Sequence, residues 1–214
     1  MMKPDRQLAE KLLNISAIKL QPDMPFVWGS GWNSPIYNDN RRLLSYPDIR
    51  NYVKTELAKN IVEHFDGADA IASVSTAAIS IGAIVADTLG LPFAYVRETP
   101  KDHGLENLIE GNLRPGHKVV MVEDIIATAG GTMKAAEVLA NAGCEVLGGV
   151  AIFNYEFPMA VKRLNNANID MVSLCTYNMM VETALATDYI QPEDVETLKE
   201  WRKDPANWVP AAKF

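Results

Sequence analysis

An α/β fold with a central, mostly parallel sheet flanked by helices is predicted for this 214-residue chain by three observations. Short, β-branched apolar runs alternate with segments of helical period, the pattern of repeated strand-helix units. One of them, Val119 to Val122, is continuously apolar, as expected of a strand covered on both faces. The run Val119-Val120-Met121-Val122 also leads without interruption into two acids, Glu123-Asp124, and a small-residue loop before the next helical segment.

Taken in order, Met1 to Leu13 is polar with helical periodicity and lacks the apolar core of a signal peptide. Phe26 to Arg41 interleaves aromatics with Gly, Pro, Asn and Ser, which marks turns and implies a folded hood over a ligand. Asp48 to Phe65 carries Ile49, Val53, Leu57, Ile61 and Phe65 at four-residue spacing and is predicted as an amphipathic helix on the sheet. A strand follows at Ala70 to Val74, a helix over Ser75 to Thr88 with Ser75 or Thr76 as candidate N-cap, and a strand at Pro92 to Arg97. Tyr95 to Gly111 reads as a polar loop between two strands. Val119 to Val122 is the next strand, Thr132 to Asn141 a helix closed by Gly143, and Val146 to Phe153 another strand. Met171 to Leu174 is a candidate edge strand, and Gln191 onward reads as a helix through Trp201 with a polar tail. The whole chain, 1–214, is expected to be one domain, with hood elements over about 1–45 and parts of the C-terminal region.

Composition bounds the function. Lys plus Arg number 20 against 27 Asp plus Glu, a net charge of −7, which disfavours a nucleic-acid partner and requires any phosphate site to be local. No apolar run has the length of a membrane span. Cys144 and Cys175 have neither close pairing nor metal spacing and are read as buried free thiols of a reducing compartment. The protein is expected to be cytoplasmic, so the sequon Asn14-Ile15-Ser16 is read as chance.

The chemistry concentrates at the junction after Val122. Free N–H groups and the dipole at a helix start favour a phosphate, and the small residues Ala127-Thr128-Ala129-Gly130-Gly131-Thr132 let backbone close around it. Glu123 and Asp124 are read as standing where the strand ends, the place where open α/β sheets bind ligands. Arg97, Lys101 and His103 form a basic cluster suited to a diphosphate, His103 also being able to donate a proton near neutral pH.

The run Val119 to Thr132 resembles the phosphoribosyl-diphosphate (PRPP) signature of the type I phosphoribosyltransferases: four apolar residues, two acids, two apolar residues, then a Thr/Ser/Gly loop. Its form is most similar to that of orotate phosphoribosyltransferases. Two further segments match in the same chain order. Lys101-Asp102-His103-Gly104 with Ile109-Glu110-Gly111 resembles the catalytic loop, and Ser30-Gly31-x-x-Ser34-Pro35-Ile36-Tyr37-x-Asp39-Asn40-Arg41 resembles the hood that covers the pyrimidine.

The resemblance implies a type I phosphoribosyltransferase-like fold that transfers the 5-phosphoribosyl group of PRPP to orotate, giving orotidine 5'-monophosphate and diphosphate in pyrimidine (UMP) synthesis. It implies Mg²⁺ as cofactor and a homodimer in which Lys101 and His103 reach into the neighbouring site. Catalytic roles fall to Lys101, His103 and Asp124. PRPP contacts fall to Arg97, Lys101, His103, Glu123, Asp124, Ile125, Ile126, Ala127, Thr128, Ala129, Gly130, Gly131 and Thr132, with Ser73 to Ala78 secondary through backbone groups. Orotate contacts fall to Tyr37, Asn38 and Ala127, and the metal rests mainly on substrate and water beside Asp124.

Three positions depart from the family pattern. Ala127 stands where a hydroxyl residue usually touches the pyrimidine, and Ala129 where Gly is common. Asn154-Tyr155-Glu156-Phe157 carries no arginine for the orotate carboxylate, leaving hood N–H groups or Arg41 to meet it. These departures leave two other readings open: a phosphoribosyltransferase for another base, and a PRPP-sensing regulator coupled to nucleic acid, against which the acidic balance argues.

Overall fold

The computed structural model describes residues 6–99 and 108–210; the predicted catalytic residues Lys101 and His103 lie outside the described residues. Helix α1 (Arg6–Asn14) buries Leu8, Ala9, Leu12 and Leu13 along one stripe. The hood follows as two small antiparallel ribbons: β1 (Ile18–Leu20) pairs with β4 (Ile36–Asn38), and β2 (Phe26–Val27) with β3 (Asn33–Ser34). A 3-10 turn, Asn40–Ser45, leads into helix α2 (Pro47–His64), which has Pro in its first turn, where the missing N–H would be unpaired in any case.

The main sheet holds β5 (Ala70–Val74), β6 (Phe93–Val96), β7 (Ile109–Glu110), β8 (Lys118–Ile126), β9 (Glu145–Asn154) and β10 (Met171–Thr176), in the order β10-β9-β8-β5-β6-β7. Every neighbouring pair is parallel except β6 with β7. The connecting helices are α3 (Ala78–Leu89), α4 (Gly130–Asn141), α5 (Pro158–Asn166), α6 (Tyr177–Ala186) and α7 (Asp194–Lys203). The strand period of two divides the core. Ile71, Val120 and Val122 pack with residues of α1, α2, α3 and α6, while Ala70, Ala72, Val119 and Met121 pack with Ala135, Ala136 and Leu139 of α4. At Gly82 a Cβ would lie 1.8 Å from Ser73 Oγ, so only glycine lets α3 lie this close to β5.

Four expectations are corrected. Strand β8 does not end before the acids: its ladder with β9 continues to Ile126 opposite Asn154, so Glu123 and Asp124 are inside the strand. Charged residues are depleted in strands, which shortens the reading from sequence, but parallel pairing overrides that preference. Helix α4 starts at Gly130, two residues before Thr132. Helix α3 starts at Ala78 with Ala77 at the N-cap and no side-chain cap bond. Ser75 and Thr76 do not cap it: the Ser75 N–H donates to Val96 O at 3.1 Å, holding this stretch against β6 as a loop. Finally, Tyr95 to Gly111 is not all loop. Tyr95 and Val96 belong to β6, and Ile109–Glu110 folds back as the antiparallel edge.

Candidate active site

Consecutive strand residues face opposite sides, and β8 uses this to serve two compartments with two adjacent acids. Glu123 faces α4: its Oε2 accepts from Thr132 Oγ1 at 3.1 Å, and its Oε1 accepts from the Asp124 N–H at 3.0 Å. Asp124 faces the hood, where Asn40 Nδ2 donates to its backbone carbonyl at 3.3 Å. The two residues are only 8% and 7% exposed. Burial pushes the Glu123 carboxyl up to about 8, opposed by the Asp124 N–H and the Thr132 hydroxyl. Burial likewise pushes Asp124 up to about 6, with the Asn40 side chain opposing it.

The loop after β8 is held open by three features. Arg163 of α5 donates from Nη1 to Thr128 O at 2.8 Å. Ala129 adopts the left-handed conformation (φ 59°) in the role a glycine would take more easily. A Cβ built on Gly130 or Gly131 would meet nothing closer than 3.6 Å among the described residues, the nearest atoms being Thr128 Oγ1 and Val74 Cγ1, so there is room beside both glycines. The first N–H groups of α4 open onto that space, and helix starts of this kind receive phosphates.

On the hood side, Trp28, Tyr37, Asn38, Ile125, Ala127 and Tyr155 line a cavity of about 290 Å³. It unites all three predicted orotate contacts, Tyr37, Asn38 and Ala127. Trp28 and Tyr155 were not legible as site residues. Tyr155, 2% exposed, stacks on Phe157 at 5.1 Å and meets the Trp28 ring edge-on at 5.2 Å. Trp201 of α7 locks the hood from behind, its indole Nε1 donating to Asn33 O at 2.9 Å. Standing just past the carboxyl end of β9, level with the end of β8, is the one signal that could have singled out Tyr155. A larger groove of about 910 Å³ runs along the outer side of α4, but the paired acids do not line it.

Arg97 stands just past β6, two strands from β8, with Nη1 3.7 Å from Glu110 Oε1. Its guanidinium is thus engaged with the edge strand, and the structure does not bring it against the acids. Lys134, absent from the sequence reading, donates to the backbone carbonyl of Glu98 and joins α4 to the segment after β6. Arg41 is exposed and held by Asp39 at 2.6 Å. Both cysteines are buried thiols that form no disulfide. No helix among the described residues is long and apolar enough to cross a membrane.

A parallel sheet whose third strand from the edge presents two acids, a glycine loop and a helix start defines the phosphoribosyltransferase class, and residues 49–178 match the family model "Phosphoribosyl transferase domain". Within that class the chain belongs to the orotate phosphoribosyltransferase family. It is 58% identical over 204 residues to the orotate phosphoribosyltransferase of Bacteroides thetaiotaomicron, covering 95% of this chain and 96% of that relative. Among solved structures it is similar to orotate phosphoribosyltransferase from Aeropyrum pernix, with a TM-score of 0.70, 26% identity and coverage of 82% of this chain and 97% of that one. It is also similar to UMP synthase from Leishmania donovani, with a TM-score of 0.78 and 27% identity over 92% of this chain and 42% of that one.

Proposed function

We propose that this chain transfers the 5-phosphoribosyl group of PRPP to orotate, releasing diphosphate and forming orotidine 5'-monophosphate, as a Mg²⁺-dependent cytoplasmic homodimer with shared active sites. The observation that carries this reading is the placement of two compartments on one strand segment. The acid and loop cradle lies against α4, and the flat aromatic cavity begins at Ile125 and Ala127.

In this reading the ribose hydroxyls meet Glu123 and Asp124, and the 5'-phosphate sits on the N–H groups of the loop and the first turn of α4. The base lies in the cavity with N1 toward C1 of the sugar. N1 forms the new bond to C1 as the bond to diphosphate breaks through a sugar of oxocarbenium character, the N1 proton passing to the departing diphosphate, with no covalent enzyme intermediate. Lys101 and His103 of the neighbouring subunit neutralise the departing diphosphate and exclude water that would hydrolyse PRPP. Tyr155 and Trp28 hold the ring plane.

The donor set suits Mg²⁺. Glu123 and Asp124 offer hard carboxylate oxygens, and the ion would be held mainly by substrate oxygens and water beside Asp124. When bound, the ion supplies positive charge to the diphosphate and ribose oxygens.

The test is ultraviolet-monitored loss of orotate with PRPP, with and without Mg²⁺, alongside uracil, adenine, guanine and xanthine. Metal-dependent loss of orotate alone is expected. Turnover of a different base instead would overturn the base assignment, and binding of PRPP without any turnover would overturn the enzymatic one.

A further inference from the structure

Asn38 closes β4, its backbone opposite Ile18, and lines the cavity between hood and sheet. Both Oδ1 and Nδ2 of its carboxamide are buried, and neither has a hydrogen-bond partner. Asn40 and Asn60 each leave only Oδ1 unpaired, their Nδ2 atoms donating to Asp124 O and Glu56 O. Among the described residues, Asn38 is the only carboxamide with both its oxygen and its nitrogen buried and unpaired.

An unmade buried hydrogen bond costs folding free energy, and one side chain leaving both halves of an amide unpaired is a feature that calls for a partner. The rest of the cavity wall is aromatic or aliphatic apart from the phenols of Tyr37 and Tyr155, which suits a flat ring but gives few ways to read its edge. A carboxamide presents one acceptor and a donor side by side. That fork matches a neighbouring donor and acceptor on a base edge, the geometry by which Asn reads bases elsewhere.

We propose that the Asn38 carboxamide is a specificity-determining group of this enzyme, Nδ2 donating to a ring carbonyl and Oδ1 accepting from the adjacent ring N–H of a pyrimidine-2,4-dione. The proposal rests on the assignment of this cavity to the base. A base methylated on that nitrogen places a methyl group against a buried oxygen and leaves it unpaired. The wild-type protein should therefore reject 3-methylorotate by about a hundredfold relative to orotate, as sites built around a polar contact do.

Asn38→Leu keeps the approximate volume and removes both polar atoms. The KM for orotate and the Kd for orotidine 5'-monophosphate should rise at least about tenfold, with the KM for PRPP unchanged and the discrimination against 3-methylorotate lost. The unliganded variant should also melt at a higher temperature, because an unpaired buried amide has been removed. An Asn38 that only supports the hood, or only holds a water, would leave orotate binding unchanged or lower the melting temperature, and either result overturns the proposal. Asn38→Asp gives a second reading that does not depend on the fate of the Leu variant. Orotate binding as tight as wild type would show that the amide donor is unused and would overturn the proposal, and a loss of at least about tenfold supports it. A wild-type protein that uses another base and not orotate would overturn the base assignment itself. An orotate-using wild type with an indifferent Asn38→Leu variant would overturn only the role of Asn38.

Discussion

Thr132 Oγ1 and Glu123 Oε2 are joined at 3.1 Å, so the first turn of α4 is tied to the strand that carries the acids. The other Glu123 oxygen is held by the Asp124 N–H, and the carboxyl is thereby fixed by the same segment that forms the loop. Thr132→Val keeps the shape and removes the donor. It should destabilise the protein by about 1–3 kcal/mol, because a buried carboxyl oxygen is left unpaired. A fall in the denaturant midpoint with an unchanged slope, together with weaker PRPP binding, is the expected result.

The same burial makes the cradle sensitive to pH. Glu123 is raised from 4.5 to about 8 and Asp124 from 3.8 to about 6, so the folded state holds these protons more tightly than the unfolded chain. Their contribution to stability is complete below the unfolded values and is lost as pH rises through about 6 and then about 8. The unliganded protein should therefore lose stability from this pair between pH 4 and 8, roughly, as measured by denaturation across that range. Ribose hydroxyls favour the ionised forms, so PRPP binding near neutral pH should release about one proton, chiefly from Glu123. Titration calorimetry in two buffers of different ionisation enthalpy measures that number, and zero release would mean that the acids do not meet the ligand.

The sheet is largely legible in the sequence where strands are buried on both faces. Val119–Val122 is a continuous apolar run, and Ala70–Val74 is broken only by Ser73, which is itself buried. The cradle is legible because its residues are consecutive. The cavity is only half legible: Tyr37, Asn38 and Ala127 are found by resemblance, but Tyr155 and Trp28 meet only through the fold. Trp201 and Asn33, 168 positions apart, show why: the C-terminal aromatics read correctly as packing, but which element they pack is set by tertiary structure. Helix α6 is missed because Asn178, Glu182 and Thr183 break its apolar stripe, and Thr183 is nevertheless buried.

Ala129 stores backbone strain that a glycine would not. At φ 59° an L-residue pays about 1–2 kcal/mol, and glycine pays back about 0.4–1 kcal/mol through the freedom of its unfolded chain. Ala129→Gly should therefore raise stability by up to about 1 kcal/mol with the loop conformation kept. Chemical denaturation measures the gain, and a loss would mean that the alanine methyl, buried in the core, contributes more through packing than its backbone costs.

Arg163 braces the loop from outside, through its 2.8 Å bond to Thr128 O. The side chain is exposed, so its contribution is discounted for solvent to about 1 kcal/mol. Arg163→Ala should raise the KM for PRPP about fivefold and leave the KM for orotate unchanged, since the bond fixes the phosphate end of the loop and not the base cavity. An equal rise in both constants would instead place the effect on the whole sheet edge.

Sharing of sites between subunits has a quantitative signature. If Lys101 acts in the partner's site while Asp124 acts in its own, Lys101→Ala and Asp124→Asn chains are each inactive as homodimers. A hybrid dimer gathers both defects into one site and leaves the other intact, as two-fold symmetry requires. Random exchange makes half the dimers hybrid, so mixing should restore about a quarter of wild-type activity. Steady-state assays after denaturation and joint refolding measure the recovery. Activity that stays at the level of the separate variants, in a mixture shown by mass spectrometry to contain hybrids, would mean that Lys101 serves its own subunit's site.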